Sequence, residues 1–234
     1  MSEILGVSSP SKGVSAQVQR VLGTLESFAV LLQERGHNVK PYTERSVTKL
    51  LSLSAAEQVR FLARFEYFSV LMMDVKTTGD DKYFLKMCAD RLGLIFDKTA
   101  YDEIRPGDVI EIYNTDLIQV FRNFEFFDVC SYTLLDLLTN EFYELYERGQ
   151  LINQGLFSAI TALSTRPYNM EAVDLMNLPQ HLLQEKFSVD QLRSLVQFKK
   201  MYPVYTWPQN FFGYLVVQHG EVLKELPKET LAFI

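Results

Sequence analysis

Apolar residues recur every three or four positions in the first part of the chain, which is the spacing of one helix face. A second helix is predicted after Ser54, because Ser54 and Glu57 have the spacing of a capping box and an apolar stripe follows them. Shorter helices are predicted over residues 43–53 and 81–92. The first and clearest stripe consists of Val14, Val18, Val21, Leu25, Phe28 and Leu32.

This first stripe is also spaced like the seam of a short coiled coil, which makes it a candidate dimerisation surface. The same spacing fits an amphipathic helix that packs on the chain's own core. The pattern leaves both interpretations open. The candidate dimerisation residues are Val18, Val21, Leu25, Phe28 and Leu32.

The second half of the chain favours strands as well as helices. Residues 108–113 and 117–121 are rich in β-formers and flank an Asn-Thr-Asp turn, so they predict a hairpin. Thr133 can cap a leucine-rich helix. Further helices are predicted around 156–163 and over 191–196, and strands over 197–207 and 211–217, with Pro203 favouring an edge or a bulge.

The expected fold class is therefore α+β, with an N-terminal helical region followed by an antiparallel sheet flanked by helices. Charge supports a boundary near residue 98: residues 1–98 carry 13 basic and 11 acidic side chains, whereas residues 99–234 carry 10 and 18. We expect a flexible lead over 1–13, a helical region over 14–98 and an α/β domain over 99–234.

The segment from Asn123 to Thr139 resembles a domain of the PAS type. Asn123-x-x-Phe126, Ser131-Tyr132-Thr133 and Asp136-Leu137-Leu138-Thr139 match the order and spacing of that family's motifs, after a hairpin and before a helix. The resemblance implies a sensory fold in which a helix and antiparallel strands follow. It also implies that Asn123 satisfies loop backbone groups, while the aromatic residues wedge helices against the sheet.

The segment also departs from the family pattern. Ser131 and Thr139 stand where the family has glycines, and the usual Asp-Gly turn of the hairpin reads Asp116-Leu117. A residue other than glycine at a positive φ costs about 1 kcal/mol or more. The sequence is thus expected to be a divergent member.

Composition narrows the function classes. The net charge of −6 and the pI near 5.2 disfavour binding to a nucleic-acid backbone. No apolar run approaches the length of a membrane span, and Cys88 and Cys130 form no paired motif. These features, with a start that lacks a signal-peptide pattern, predict a cytoplasmic protein that binds no membrane.

No motif predicts catalysis, a metal or a resident cofactor. His37, His181 and His219 lie in unrelated segments, and the two Ser-x-x-Lys pairs lack companion motifs. An aromatic set remains as a candidate ligand pocket, with a hydrophobic core as the alternative. It comprises Phe126, Phe127, Tyr132, Phe142, Tyr205, Trp207 and Tyr214.

The sequence thus favours a non-enzymatic signalling or regulatory protein, in which sensing of a small ligand or a partner is coupled to helical dimerisation. A homodimer or a complex with another protein is expected. The main alternative is a ligand-free protein–protein interaction module. A DNA-binding regulator or an uncharacterised enzyme is favoured less, because the chain lacks a basic recognition helix and a catalytic motif.

Overall fold

The computed structural model describes residues 16–75, 79–188 and 190–223. The predicted flexible lead over 1–13 and the stripe residue Val14 lie outside these ranges. The helices are α1 (Ala16–Glu34), α2 (Glu44–Ser52), α3 (Ala55–Val75), α4 (Asp81–Leu92), α5 (Thr99–Glu103), α6 (Glu125–Asp128), α7 (Leu134–Thr139), α8 (Phe142–Leu145) and α9 (Gln150–Thr165).

The strands form one antiparallel sheet in the order β3-β2-β8-β7-β6-β4, with β1 and β5 both paired to β7. The β2–β3 hairpin therefore lies beside β8, the last strand along the chain. The strands are β1 (Leu94–Ile95), β2 (Asp108–Asn114), β3 (Gln119–Arg122), β4 (Tyr146–Glu147), β5 (Val173–Asp174), β6 (His181–Glu185), β7 (Arg193–Thr206) and β8 (Asn210–Val222).

The chain is α+β, with N-terminal helices followed by the antiparallel sheet, as the sequence predicts. The helix starts follow from local capping chemistry. Thr43 caps α2 in a capping box with Ser46, and the Asp80 side chain accepts a hydrogen bond from an amide in the first turn of α4. The Ser54 amide donates to the Glu57 carboxylate over 2.8 Å at the start of α3.

The predicted hairpin is confirmed, but the predicted helix over 191–196 is wrong. Strand β7 begins at Arg193, and Ser194, Val196 and Phe198 are buried while the residues between them are half-buried. This period of two is the burial pattern of a strand, and it overrides the helix propensity of the local sequence. Strand β6 supplies a further antiparallel neighbour that the sequence did not reveal.

Pro203 lies within β7, which is an interior strand. Its position falls between Lys200–Met201, which pair with β5, and Tyr205–Thr206, which pair with β1. The register against β8 also shifts between Val204 and Tyr205. A residue without an amide proton is tolerated here because its strand has a gap on one side and an irregularity beside it.

The sheet is covered on both faces. Ile110 and Ile112 of β2 belong to the larger hydrophobic cluster, which includes α1, α3 and α4, whereas Tyr113 belongs to a smaller cluster with α9. Alternate residues of a strand point to opposite faces, so the two clusters lie on opposite sides of β2. The boundary near residue 98 stays a prediction, and buried residues from both sides of it contribute to the larger cluster.

The α1 stripe faces this larger cluster. Val21, Leu25, Phe28 and Leu32 are at most 5% exposed, and Val18 is partly buried against the same cluster. The chain's own core thus covers these side chains, as the amphipathic-helix interpretation expects, and dimerisation stays a prediction. Their spacing reflects an amphipathic helix on its core.

Asn123 joins the hairpin to the helical region. The side chain is fully buried, its Oδ1 accepts from the Ile110 amide over 2.9 Å, and its Nδ2 donates to the Asp108 carbonyl over 2.7 Å. Nδ2 also donates to Asp81 over 3.0 Å, and the other Asp81 oxygen accepts from the Phe124 amide over 2.7 Å. The first residue of α4 is thereby fixed to the end of β3.

Replacing Asn123 with Ala is expected to lower the free energy of unfolding by about 3 kcal/mol, because it leaves a buried amide and a buried carbonyl without partners. Urea denaturation measures the loss. Asn38 is exposed, so Asn38→Ala serves as the control and should stay within about 0.5 kcal/mol of the parent. Equal effects of the two substitutions would contradict the structural role given to Asn123.

Candidate functional site

A cavity of about 60 Å³ lies between the sheet and the helices α8 and α9, within the smaller cluster. Its walls are mostly apolar, and polar side chains gather at one end. Tyr143 and Phe157 are about half exposed at its rim. The apolar lining includes Leu117, Phe142, Leu156, Phe157, Ile160, Phe198, Met201 and Val216, and the polar lining includes Glu111, Tyr113, Tyr143, Arg148, Asn153, Tyr214 and Gln218.

One wall is formed by the turn of the hairpin. Leu117 has a φ of 58°, the left-handed region that favours glycine, and its side chain packs on the smaller cluster. Neither Ser131 nor Thr139 has a positive φ among the described residues, so these two replacements of family glycines carry no such strain. Of the three departures from the pattern that the PAS resemblance implies, only the one in the hairpin turn has a positive φ, and there Leu117 contributes its side chain to the cavity.

The polar end is organised by Glu111 on β2. Its carboxylate accepts hydrogen bonds from the Tyr113 hydroxyl and the Gln218 Nε2, both over 2.7 Å, and from Gln119. Burial raises the pKa of Glu111 despite these hydrogen bonds and the nearby Arg148 and Arg122. Burial thus favours the neutral form of this carboxyl group, while the hydrogen bonds and the two arginines favour the charged form.

Two guanidinium groups lie near this carboxyl. Arg122 of β3 lies opposite Glu111 of β2 in the strand register. Its guanidinium lies 5.0 Å over the Phe126 ring, and burial lowers its pKa. The Arg148 guanidinium lies 5.7 Å over the Phe142 ring and 5.3 Å over the Tyr146 ring. Within the described ranges neither arginine has a carboxylate within 4.0 Å.

Several buried polar atoms around the cavity have no hydrogen-bond partner among the described residues. They are the Nε of Arg148, the Oε1 of Gln218 and both ring nitrogens of His181. Gln218 is only 7% exposed, and the His181 ring stacks on Phe198 of the cavity wall with 5.4 Å between centroids. Unsatisfied buried groups cost about 1–3 kcal/mol each, so this concentration marks the region as a candidate site.

The predicted aromatic set is divided by the structure. Phe142 and Tyr214 line the cavity, whereas Phe126, Phe127 and Tyr132 belong to the larger core cluster. The remaining two members, Tyr205 and Trp207, neither line the cavity nor belong to the larger cluster. Tyr205 is buried and exchanges hydrogen bonds with the Asn169 backbone, and Trp207 is 82% exposed.

Among the polar residues that line the cavity, only Tyr214 was predicted from the sequence. Glu111 carried one available signal, since it is an acidic residue inside an otherwise apolar strand and shares the face of Tyr113. Arg148 and Gln218 had no such signal, because their positions follow from how β4 and β8 meet the cavity. Sequence reasoning selected aromatic side chains, while the structure adds the polar groups.

The cavity wall is tied to α3 by an ion-pair cluster. Arg60 donates to both oxygens of Glu141, over 2.7 and 2.9 Å, and also to the Asp116 carbonyl over 3.1 Å. Arg64 pairs with the same carboxylate and donates to the Leu138 carbonyl over 3.1 Å. Burial alone would raise the pKa of Glu141, but the two arginines lower it.

An open groove of about 950 Å³ runs along α1 and α3, on a flank of α1 beside the buried stripe, and Val21 of that stripe lines it. Val30 is 51% and Leu62 44% exposed along it, and Phe65 and Met72 are partly buried. Arg20 and Glu34 also line it, near the two ends of α1. The groove thus exposes apolar side chains of the helical region, whereas the predicted stripe is mostly buried.

Other chemistries leave no trace in the described part of the chain. His, Cys, Asp and Glu side chains form no group of three there that could hold a metal ion. Cys88 and Cys130 are both buried, and neither is in a disulfide within the described residues. Of the helices in the described ranges, none combines the length and the apolar character needed to cross a membrane.

Loss of stability in acid should depend on His181. Burial, with a smaller effect from Arg148, lowers its pKa from 6.5 to about 4, so between these values the unfolded chain binds a proton that the folded chain does not. Stability is therefore retained above pH 6.5 and falls as the pH drops toward about 4. His181→Leu should flatten this dependence in urea titrations, and an unchanged pH dependence would contradict the assignment.

Glu141→Gln is expected to lower the free energy of unfolding by about 2 kcal/mol at neutral pH, since it leaves the buried Arg64 without its counter-charge. Thermal and urea denaturation measure the effect. Glu147 is exposed on the neighbouring strand, and Glu147→Gln is the control that should change little. A loss no larger than that of the control would show that the cluster contributes nothing to stability.

Comparison with known proteins gives no assignment. No family model matches the chain. No curated protein matches it either.

Proposed function

We propose that the protein is a non-enzymatic cytoplasmic regulatory protein whose C-terminal half is a divergent PAS-type domain that senses a small ligand. The observation that carries this proposal is the cavity with an unsatisfied polar end, whose wall is joined by Arg60 to the N-terminal helices. Apolar walls with a few convergent polar groups are the usual lining of a small-molecule site, and a volume of about 60 Å³ restricts the occupant to a very small molecule.

The contacts of the motif residues support the PAS resemblance. Asn123 satisfies the Ile110 amide and the Asp108 carbonyl, as the resemblance implies. Thr133 caps α7 in a capping box. The Tyr132 hydroxyl donates to the Leu145 carbonyl and accepts from the Lys186 amide over 2.9 Å, so it ties the helical connection to the strand β6.

Three consecutive antiparallel strands, β6, β7 and β8, follow α9 and the two-residue strand β5, and they also support the resemblance. The sequence alone revealed only two strands where the family has three. Strand β6 completes the set, since it pairs with β7, which in turn pairs with β8. The hairpin strand β2 then pairs with β8, so residues 108–122 and 198–217 share one sheet.

Sensing is coupled to the helices through Arg60. Two segments contribute to the cavity wall, through Leu117 and Phe142. Arg60 of α3 binds the residue before each of them, Asp116 and Glu141. A ligand that moves either wall segment changes the contacts of α3. The ligand then shifts the populations of two helix arrangements by its difference in affinity for them.

Native mass spectrometry of the purified protein, with a set of small fragments, tests the proposal. Binding to the parent is expected, and Ile160→Trp should abolish it by filling the cavity from α9. Ala162 is exposed on the same helix, so Ala162→Trp is the matched control that should bind normally. Absence of binding to the parent, or equal binding by Ile160→Trp, would overturn the ligand-sensing function.

The second candidate function is a ligand-free interaction module, and the α1–α3 groove favours it. Its exposed Val30 and Leu62 present apolar surface without a partner in the described chain. In this reading a second copy or another protein covers the groove. A ligand-free dimer in the same mass spectra, lost on Leu62→Asp but retained in Ile160→Trp, would favour it over sensing.

A further inference from the structure

The polar end of the cavity holds an excess of positive charge. Among the described residues that line the cavity, Glu111 is the only acid and Arg148 the only base, and Arg122 adds a second guanidinium beside Glu111. With Glu111 ionised, these three groups sum to one positive charge. The burial that raises the pKa of Glu111 can only increase this excess, because protonation removes its negative charge.

The charge on Arg148 is not neutralised within the described chain. Its guanidinium is held only by aromatic faces, at 5.7 Å over Phe142 and 5.3 Å over Tyr146, and its Nε has no hydrogen-bond partner. The ring contacts fix the plane of the guanidinium and leave its edge unused. A guanidinium edge has the geometry that a carboxylate matches with two parallel hydrogen bonds.

A second observation points to a missing polar partner at the same place. Gln218 is more than nine-tenths buried and lines the cavity, its Nε2 is used by Glu111, and its Oε1 has no partner. The protein's own groups therefore do not complete the hydrogen bonding of this end. A bound anion with accompanying water would supply the acceptor for Arg148 and a donor for Gln218.

The rest of the cavity limits the size and the polarity of the ligand that can bind there. Leu156 and Ile160 of α9 face Met201 and Val216 of the sheet across it, so the part beyond the polar end is apolar. One water needs about 10–15 Å³ of such space, so about 60 Å³ holds roughly four to six waters and admits only a short chain. A phosphate or a nucleotide does not suit such walls.

We propose that this cavity binds a short-chain monocarboxylate, with the carboxylate on the Arg148 guanidinium and the aliphatic tail between α9 and the sheet. The inference rests on the sensing role proposed above and specifies the chemistry of its ligand. Arg148 is the residue that discriminates anion from neutral molecule, and Ile160 and Met201 set the length of tail that is accepted.

Calorimetric titration at constant ionic strength tests this with sodium butyrate and the neutral isostere butyramide as probes. Butyrate should bind the parent at least about tenfold more tightly than butyramide, since a charged hydrogen-bonded pair replaces a neutral one. Arg148→Gln should abolish the preference by weakening butyrate binding much more than butyramide binding, and Arg148→Lys should retain part of it. Lys82 is exposed on α4, so Lys82→Gln is the control for loss of one positive charge.

The outcomes separate this inference from the proposed function. Equal binding of butyrate and butyramide, both lost in Ile160→Trp, would overturn the monocarboxylate and leave a sensing cavity. A butyrate preference that survives Arg148→Gln would overturn the role of Arg148. If neither probe binds, the monocarboxylate is overturned, and the native mass spectra with other fragments decide the sensing role independently. Circular dichroism of each variant excludes loss of the fold as the cause.

Discussion

The hydrogen bonds of one buried amide, that of Asn123, hold the two halves of the fold together. Its Oδ1 and Nδ2 close the base of the hairpin, and its bond to Asp81 fixes the start of α4. Burial raises the pKa of Asp81, while the Phe124 amide and Asn123 oppose this effect. The position of the hairpin relative to the helices thus depends on a few polar bonds inside an apolar core, where unpaired groups are costly.

Charged groups recur where helices meet the sheet. Glu141 receives two arginines of α3, and Glu185, which is 2% exposed, accepts from the Ser131 amide over 2.7 Å and the Leu192 amide over 3.1 Å. Each of these carboxylates is surrounded by donors. The cavity differs, because neither Arg122 nor Arg148 has a carboxylate within 4.0 Å among the described residues, and Arg148 Nε and Gln218 Oε1 have no hydrogen-bond partner there. This contrast is why the cavity, and none of the satisfied clusters, is treated as a site.

Local signals predicted much of the fold. The helix starts at Thr43, Ser54 and Thr133 were readable because capping depends on adjacent residues, and the hairpin was readable from its turn. The strand from Arg193 was misread because its burial pattern depends on distant partners. The cavity was only half predicted for the same reason: Phe142 and Tyr214 were named from their aromatic character, but Arg148 and Gln218 reach it through tertiary packing.

Leu117 gives the cavity wall a mechanical property. A leucine held at a φ of 58° stores about 1 kcal/mol of backbone strain, which its packing on the smaller cluster offsets. Any movement that lets this residue return to a negative φ releases that energy. Moving this wall therefore requires less free energy than moving an unstrained turn would, because the movement relieves the strain at Leu117. Arg60, bound to the adjacent Asp116 carbonyl, would be the first residue of the helices to follow that movement.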